Sequence, residues 1–263
     1  MIPAPSKAYL VCATPRSGST LLCEMLRATG HAGQPLEHFE ILRHSSLPRQ
    51  PREYFSEHTP SRVLDLLAPL QPGTPSTESP EDWWARIVRE GSSENGVWGG
   101  KIMWGHVEDF LARARQLPEL ADADLSTVLQ TLLNGPQLIF VSRADKVAQA
   151  VSLWRALQTQ AWRDEDADQH GAPVYDFEAI GYLIQQMREH EARWRAWCSE
   201  SGCGSFDIPY ERLEEAPQAT IAEVLEALGL PAENIPAPRL SRQRDEISHA
   251  WIERYDHERT EAA

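Results

Sequence analysis

The opening of the chain constrains its fold more than any later stretch. Ala8-Tyr9-Leu10-Val11-Cys12-Ala13 is an unbroken apolar run, and Thr14 to Thr20 is short, polar and contains Gly18. Leu21, Leu22, Met25 and Leu26 then recur at helical spacing as far as Gly30. A run that is apolar on both faces reads as a buried parallel strand. A strand feeding a tight loop and a helix opens an α/β nucleotide-binding fold. Gly18 can adopt positive φ, which lets the N–H groups of Gly18, Ser19 and Thr20 converge on an anion at the helix N-terminus. The Ser and Thr hydroxyls, Ser17 included, add donors, and Arg16 brings a permanent charge with two N–H bonds to offer at once. The loop is not a Walker sequence, because it has one glycine and its basic residue precedes that glycine. Read alone, it also suits an ordinary helix start.

A second anchor lies further on. Gln137-Leu138-Ile139-Phe140-Val141 reads as a central strand running into Ser142-Arg143, and Asp145 caps a helix carrying Val147, Val151, Trp154 and Leu157. Arg143 therefore sits just past the C-terminal end of a strand, where open α/β sheets bind ligands, and Ser152 lies on the helix that follows. Considered singly, Arg143 suits a salt bridge and Ser152 a packing position. Val97 to Trp104 reads as another strand, with glycines where something approaches the backbone. Helices are expected over Glu81–Glu90, Leu111–Leu133 with an acidic break, Phe177–Cys198 and Thr220–Leu228. A short strand is expected at Phe206–Ile208, and His31 to Pro60 reads as irregular. The expected fold is α/β, a mostly parallel central sheet flanked by helices with a P-loop-like nucleotide site, in one domain spanning 1–263.

Charge narrows the partners. The formal net charge is -14, with a pI near 5.1, so nucleic acid and anionic membranes are repelled. An anionic ligand then needs a local concentration of Arg, Lys and backbone N–H groups. The four cysteines form no C-x-x-C pair and read as free thiols. No segment resembles a signal peptide or reaches the roughly 18 apolar residues of a membrane span, so no membrane insertion and a cytoplasmic location are expected.

Three segments together resemble the sulfotransferases: Thr-Pro-Arg-Ser-Gly-Ser-Thr after the first strand, Arg143 with Ser152, and Ile208-Pro209-Tyr210-Glu211-Arg212-Leu213 leading into a helix. Within that superfamily the chain is most similar to the bacterial trehalose 2-sulfotransferases. Shared runs include Leu26-Arg27-Ala28-Thr29-Gly30, Pro51-Arg52-Glu53, Gly96-Val97-Trp98-Gly99-Gly100-Lys101 and Gln149-Ala150-Val151-Ser152. Trp194-Arg195-Ala196-Trp197 and a tail with Arg242, Gln243, Ser248, Trp251, Arg254 and Tyr255 match as well.

The resemblance implies 3′-phosphoadenosine 5′-phosphosulfate (PAPS) as co-substrate, with no metal, and a homodimer. It places the 5′-phosphosulfate on Arg16, Ser17, Gly18, Ser19 and Thr20 and the 3′-phosphate on Arg143 and Ser152, with Arg242 and Gln243 in a late loop closing over the nucleotide. It puts the catalytic base at Glu37, inside an acceptor segment of Gln34, Pro35, Leu36, Glu37, His38 and Phe39, with Arg52 and Lys101 near it. A carboxylate in a partly desolvated cleft suits that task, and burial is expected to raise its pKa while Arg52 or Arg16 opposes the rise. His38 and His106 are rival bases. Without the resemblance, Glu37 is one of 39 acidic residues.

Two segments depart from the family pattern. Pro15 stands where the trehalose enzymes carry Gln, and Gln34-Pro35-Leu36-Glu37 stands where they carry Glu-Pro-Gln-Glu. The acceptor is thus a small sugar such as trehalose, another glycoside or glycolipid, or a natural-product hydroxyl. Two other readings of the strand–loop–helix opening are a magnesium-dependent kinase and a non-catalytic nucleotide-binding protein.

Overall fold

The computed structural model describes residues 4–40, 46–162, 172–201, 205–238 and 246–262. In chain order the elements are β1 (Lys7–Ala13), α1 (Ser19–Ala28), α2 (Ser61–Leu64), α3 (Pro80–Gly91), β2 (Val97–Met103), α4 (Val107–Ala114) and α5 (Leu125–Leu133). Then follow β3 (Gln137–Ser142), α6 (Lys146–Thr159), α7 (Phe177–Ser201), β4 (Ser205–Pro209), α8 (Tyr210–Glu215), α9 (Pro217–Ala227) and α10 (Glu246–Glu261). The strands form one parallel sheet in the order β2-β1-β3-β4.

The apolar runs follow from burial on both faces. Leu10 and Cys12 of β1 and Leu138 and Phe140 of β3 point into a core with α3, α4 and α5. Tyr9, Val11, Ile139 and Val141 point into another with α1, α8 and α9. A third cluster joins α6, α7 and α10. Helix starts obey their caps: Asp145 accepts from the Ala148 N–H at 2.9 Å, Asp124 from Thr127 at 2.8 Å and Ser79 from Asp82 at 3.0 Å.

The expected helix over Leu111–Leu133 is two helices, α4 and α5, with a single 3-10 turn at Pro118–Leu120 between them. Pro118 cannot continue an α-helical ladder and Asp124 caps the second helix, so the break runs from Arg115 to Asp124 and includes the expected acidic residues. Most of the polar stretch Asp164–Pro173, and Cys203, lie outside the described residues. Among the described residues Cys12, Cys23 and Cys198 are in no disulfide. Among the described residues no helix is long and apolar enough to cross a membrane.

The strand order fixes where a ligand can sit. The chain leaves β1 for β2 on one side and returns past β1 to β3 on the other, so the connections after β1 and β3 diverge between adjacent strands. Ala13 is paired with Val141, which sets the Thr14–Gly18 loop beside Ser142-Arg143 at the C-terminal end of the sheet.

The outer edge of β2 is closed by the chain that follows α1. Tyr9 donates its hydroxyl to the Ala32 carbonyl at 2.6 Å, and Gly33, at φ 72°, lies flat on the β2 backbone. Leu36 then bridges to Gly100 in parallel, with the Lys101 N–H on the Leu36 carbonyl at 2.9 Å.

Candidate active site

The loop after β1 is held from three sides. Gln149, fully buried on α6, donates to Thr14 Oγ1 at 2.9 Å and to the Pro15 carbonyl at 2.7 Å. Arg143 donates to the Arg16 carbonyl at 3.1 Å. Arg16 itself takes a left-handed φ of 60° and reaches α6, with Nε on Ser152 Oγ at 2.9 Å and Nη1 on the Trp162 carbonyl at 2.7 Å. A non-glycine residue in that region costs on the order of 1–3 kcal/mol and persists only where its surroundings impose it.

Gly18 shows why this loop needs glycine. Its φ is 89° and the Tyr210 ring lies against it, while Arg143 stacks over the same ring, 4.6 Å from the centroid. Glu211, the neighbour of Tyr210, accepts the Ala144 N–H at 2.9 Å, so α8 is fastened to the β3–α6 turn. The Ile208–Leu213 motif therefore clamps both halves of the anion site. Replacing Gly18 with Ala forces a methyl group into the Tyr210 ring at a φ that L-residues avoid. We expect G18A to lower nucleotide-product affinity at least tenfold by calorimetry while circular dichroism keeps the α/β signature; unchanged affinity would remove Gly18 from the clamp.

These groups line one wall of a cavity of about 600 Å³. Arg16, Gly18, Ser19, Thr20, Arg143 and Ser152 all face it, whereas Ser17 is fully buried behind the loop. Ser17 Oγ has no hydrogen-bond partner among the described residues. The groups that do face the cavity, the Arg16 and Arg143 guanidinium groups with the Ser19, Thr20 and Ser152 hydroxyls at a helix N-terminus, fit a bound phosphosulfate. Arg242 and Gln243 lie outside the described residues.

The opposite wall is built by the segment after α1 and by β2. The Leu36–Gly100 bridge places Glu37 beside Lys101, whose ammonium meets Glu37 Oε1 at 2.6 Å and also donates to Thr20 Oγ1 at 3.2 Å. Lys101 is buried, 5% exposed, so it is not a strand-end side chain reaching for water. Glu37, Lys101 and the anion loop thus form one connected line across the cavity.

Burial pushes the Glu37 carboxyl up, as expected, but the Lys101 charge and hydrogen bond, helped by His106, outweigh it and hold Glu37 below the usual carboxylate range. The counter-charge is Lys101, and neither Arg52 nor Arg16 supplies it. Arg52 Nη2 donates instead to the Leu67 carbonyl at 3.2 Å, away from the cavity.

Of the expected acceptor segment, Pro35, Leu36 and Glu37 face the cavity, while Gln34, His38 and Phe39 do not. The Gln34 N–H is bound to the Gly91 carbonyl at 2.8 Å, and its own carbonyl holds His38 Nε2 at 2.9 Å. Phe39 is core, packed on Phe110 with centroids 4.4 Å apart. Burial lowers the His38 pKa, and the ring is tilted against Trp98. His106 is buried within electrostatic reach of Glu37 but lines no part of the cavity. Glu40, Tyr54 and Ile252 face the cavity and carry no sequence pattern that singles them out. Trp98 and Trp154 are core, and Trp162 is on the cavity wall.

With this geometry in hand, similarity to known proteins is decisive. The model of the Stf0 sulphotransferase family matches residues 8–258. The chain belongs to this family. The trehalose 2-sulfotransferase of Mycobacterium tuberculosis (strain ATCC 35801 / TMC 107 / Erdman) is 43% identical over 251 residues, covering 95% of this chain and 94% of that protein. The trehalose 2-sulfotransferase of Mycolicibacterium smegmatis (strain ATCC 700084 / mc(2)155) is 41% identical over 250 residues, at 94% of each chain. A solved sulfotransferase structure from Alicyclobacillus acidocaldarius aligns over 97% of this chain and 93% of that one, with 9% identity and a TM-score of 0.48. As an Stf0 sulphotransferase the chain is an enzyme of sulfuryl transfer. The loop, Arg143 and Glu37 all fall inside the matched region.

Proposed function

We propose that this Stf0 sulphotransferase moves a sulfuryl group from PAPS to a hydroxyl of trehalose, with Glu37 as the base. One observation carries the reading: a carboxylate held anionic by Lys101 faces a cationic, amide-lined loop across one cavity. Both relatives described above are trehalose 2-sulfotransferases, which supports the acceptor.

The co-substrate supplies the sulfuryl group on a phosphate leaving group. Glu37 accepts the proton of the acceptor hydroxyl as its oxygen bonds to sulfur. The sulfur–oxygen bond to the 5′-phosphate breaks in the same displacement, and the adenosine bisphosphate leaves with the bonding pair. Arg16 and the N–H groups of the loop stabilise charge gathering on that phosphate, and they are already fixed in place by Ser152, Gln149 and Arg143. Arg143, at the strand end over the Tyr210 ring, would hold the 3′-phosphate.

Lys101 sets the pH range of this step. Burial alone raises the Glu37 pKa and Lys101 reverses the rise, so removing the ammonium lets burial win. A base with a raised pKa is protonated, and idle, over a wider acidic range. We expect K101M to move the acid limb of kcat/KM upward by a unit or more. A limb that stays in place would show that Lys101 does not govern Glu37.

Leu36 favours a second reading of the acceptor. It is 43% exposed on the cavity wall beside Glu37, a poor partner for a sugar hydroxyl and a good one for an acyl or aglycone chain. Trehalose bearing an apolar substituent, or another glycolipid, fits that surface. Parallel assays with free trehalose and an acylated trehalose decide it: a lower KM for the acylated sugar supports the glycolipid, and equal values leave trehalose itself.

A further inference from the structure

A second carboxyl stands in the acceptor half of the cavity. Glu40 follows Glu37 by one tight turn, its N–H on the Glu37 carbonyl at 3.1 Å, and both side chains face the same space. Lys101 is committed to Glu37 at 2.6 Å. Among the described residues nothing hydrogen-bonds or ion-pairs with the Glu40 carboxyl, although it is only half exposed to water. Two carboxyls and one ammonium therefore share a wall that is partly closed to solvent.

We propose that Glu40 is a specificity-determining residue that holds the acceptor by a hydrogen bond donated from its carboxyl to a sugar oxygen next to the hydroxyl served by Glu37. The inference rests on the sulfotransferase reading and adds the means by which the acceptor is recognised.

The groups around Glu40 explain why it can donate. Glu37 lies on its own segment, Lys101 faces it from β2, and Tyr54 closes the wall with Arg49 stacked 4.6 Å from its ring centroid. Cys23 of α1 and His106 reach the pair through Lys101 and Glu37. Tyr54 and Cys23 stay neutral, because burial pushes both well up. Burial and the adjacent Glu37 carboxylate push Glu40 up to about 7, against the opposing pull of Lys101. Glu37, beside the ammonium, is held low while Glu40 is pushed up, so of the two carboxyls Glu40 is the one favoured to carry a proton. A neutral carboxyl offers one O–H donor, whereas a carboxylate only accepts. Glu37 as acceptor and Glu40 as donor then match the two faces of neighbouring sugar hydroxyls, and an acceptor lacking the second oxygen leaves a buried donor unsatisfied.

The test has two arms on the full-length enzyme. Infrared pH titration needs no acceptor. The wild type should show a neutral-carboxylic-acid band that disappears as pH rises through about 7, and E40Q should lack it. Steady-state kinetics with trehalose read the hydrogen bond. The wild-type acceptor KM should rise as pH passes through the same range, E40Q should lose that dependence, and E40A should raise KM about tenfold with a smaller effect on kcat. An infrared titration identical in wild type and E40Q overturns the proposal. So does an acceptor KM that rises equally with pH in both. Absence of any sulfation by the wild type would instead strike the broader reading, while the infrared arm still decides the protonation of Glu40.

Discussion

The E37Q enzyme should turn over about 10²–10⁴-fold more slowly than the wild type, with nucleotide-product affinity changed less than threefold. Gln keeps the shape of the side chain and can still meet Lys101, but it cannot take a proton at any working pH. The two effects are separable because Glu37 bonds to Lys101, while Arg16 and the loop amides that meet the phosphate are held by Ser152, Gln149 and Arg143. Rapid-quench turnover together with calorimetric titration of the nucleotide product measures both. Full activity in E37Q would return the search for the base to the other groups on this wall. A parallel loss of nucleotide affinity would mean that the Lys101–Thr20 line transmits damage to the loop.

Arg16 carries the second large effect. It combines a fixed charge with hydrogen bonds to Ser152 and the Trp162 carbonyl, at a φ of 60° that the surrounding contacts impose. Removing a preorganised donor from the place where charge develops costs about 10²–10³ in rate, so R16A should lose at least that much of kcat/KM for the donor. R16K should recover little. A single ammonium cannot reach both Ser152 and a phosphate in the way a planar guanidinium can. Kinetics at varied donor concentration would show it, and a wild-type donor kcat/KM in R16A would place the leaving phosphate elsewhere.

The parts of this architecture that were legible in the sequence are those governed by local rules. Ala8–Ala13 and Gln137–Val141 are apolar on both faces because helices cover both sides of the sheet, and composition records that directly. Asp145 was readable as a cap because a cap is a contact between near neighbours. Glu37 came only from resemblance. Its pairing with Lys101 depends on Leu36 bridging to Gly100, a contact between distant segments that leaves no periodic trace.

The same bridge explains the corrected acceptor segment. Pinned to β2, the chain presents Pro35, Leu36 and Glu37 to the cavity and turns Gln34, His38 and Phe39 into backbone and core contacts. The Glu37 shift departs from expectation in its counter-charge: burial was foreseen and Lys101 was placed nearby, but the opposing charge was assigned to Arg52 or Arg16, whereas the buried Lys101 supplies it and prevails.

The last helix was illegible for a different cause. Glu246–Glu261 is mostly polar and buries only Ser248 and Tyr255, so no apolar stripe announces it. Tyr255, Trp251 and Ile252 pack it against the α6–α7 cluster, and polar links add to that packing. Arg155 donates to Ser248, and Tyr175 donates to Glu258 at 3.1 Å while Arg254 stacks on the Tyr175 ring. Through Ser248 and Ile252 this helix supplies part of the cavity wall, bringing residues from the far end of the chain to the loop that opens it.

Mass spectrometry of the full-length enzyme with PAPS and trehalose, and no added metal, tests the central claim most directly. The account predicts that trehalose gains one SO₃ unit while adenosine 3′,5′-bisphosphate accumulates in equal amount. Tight binding of the bisphosphate with no SO₃ gained by trehalose, acylated trehalose or a panel of other sugars would contradict it.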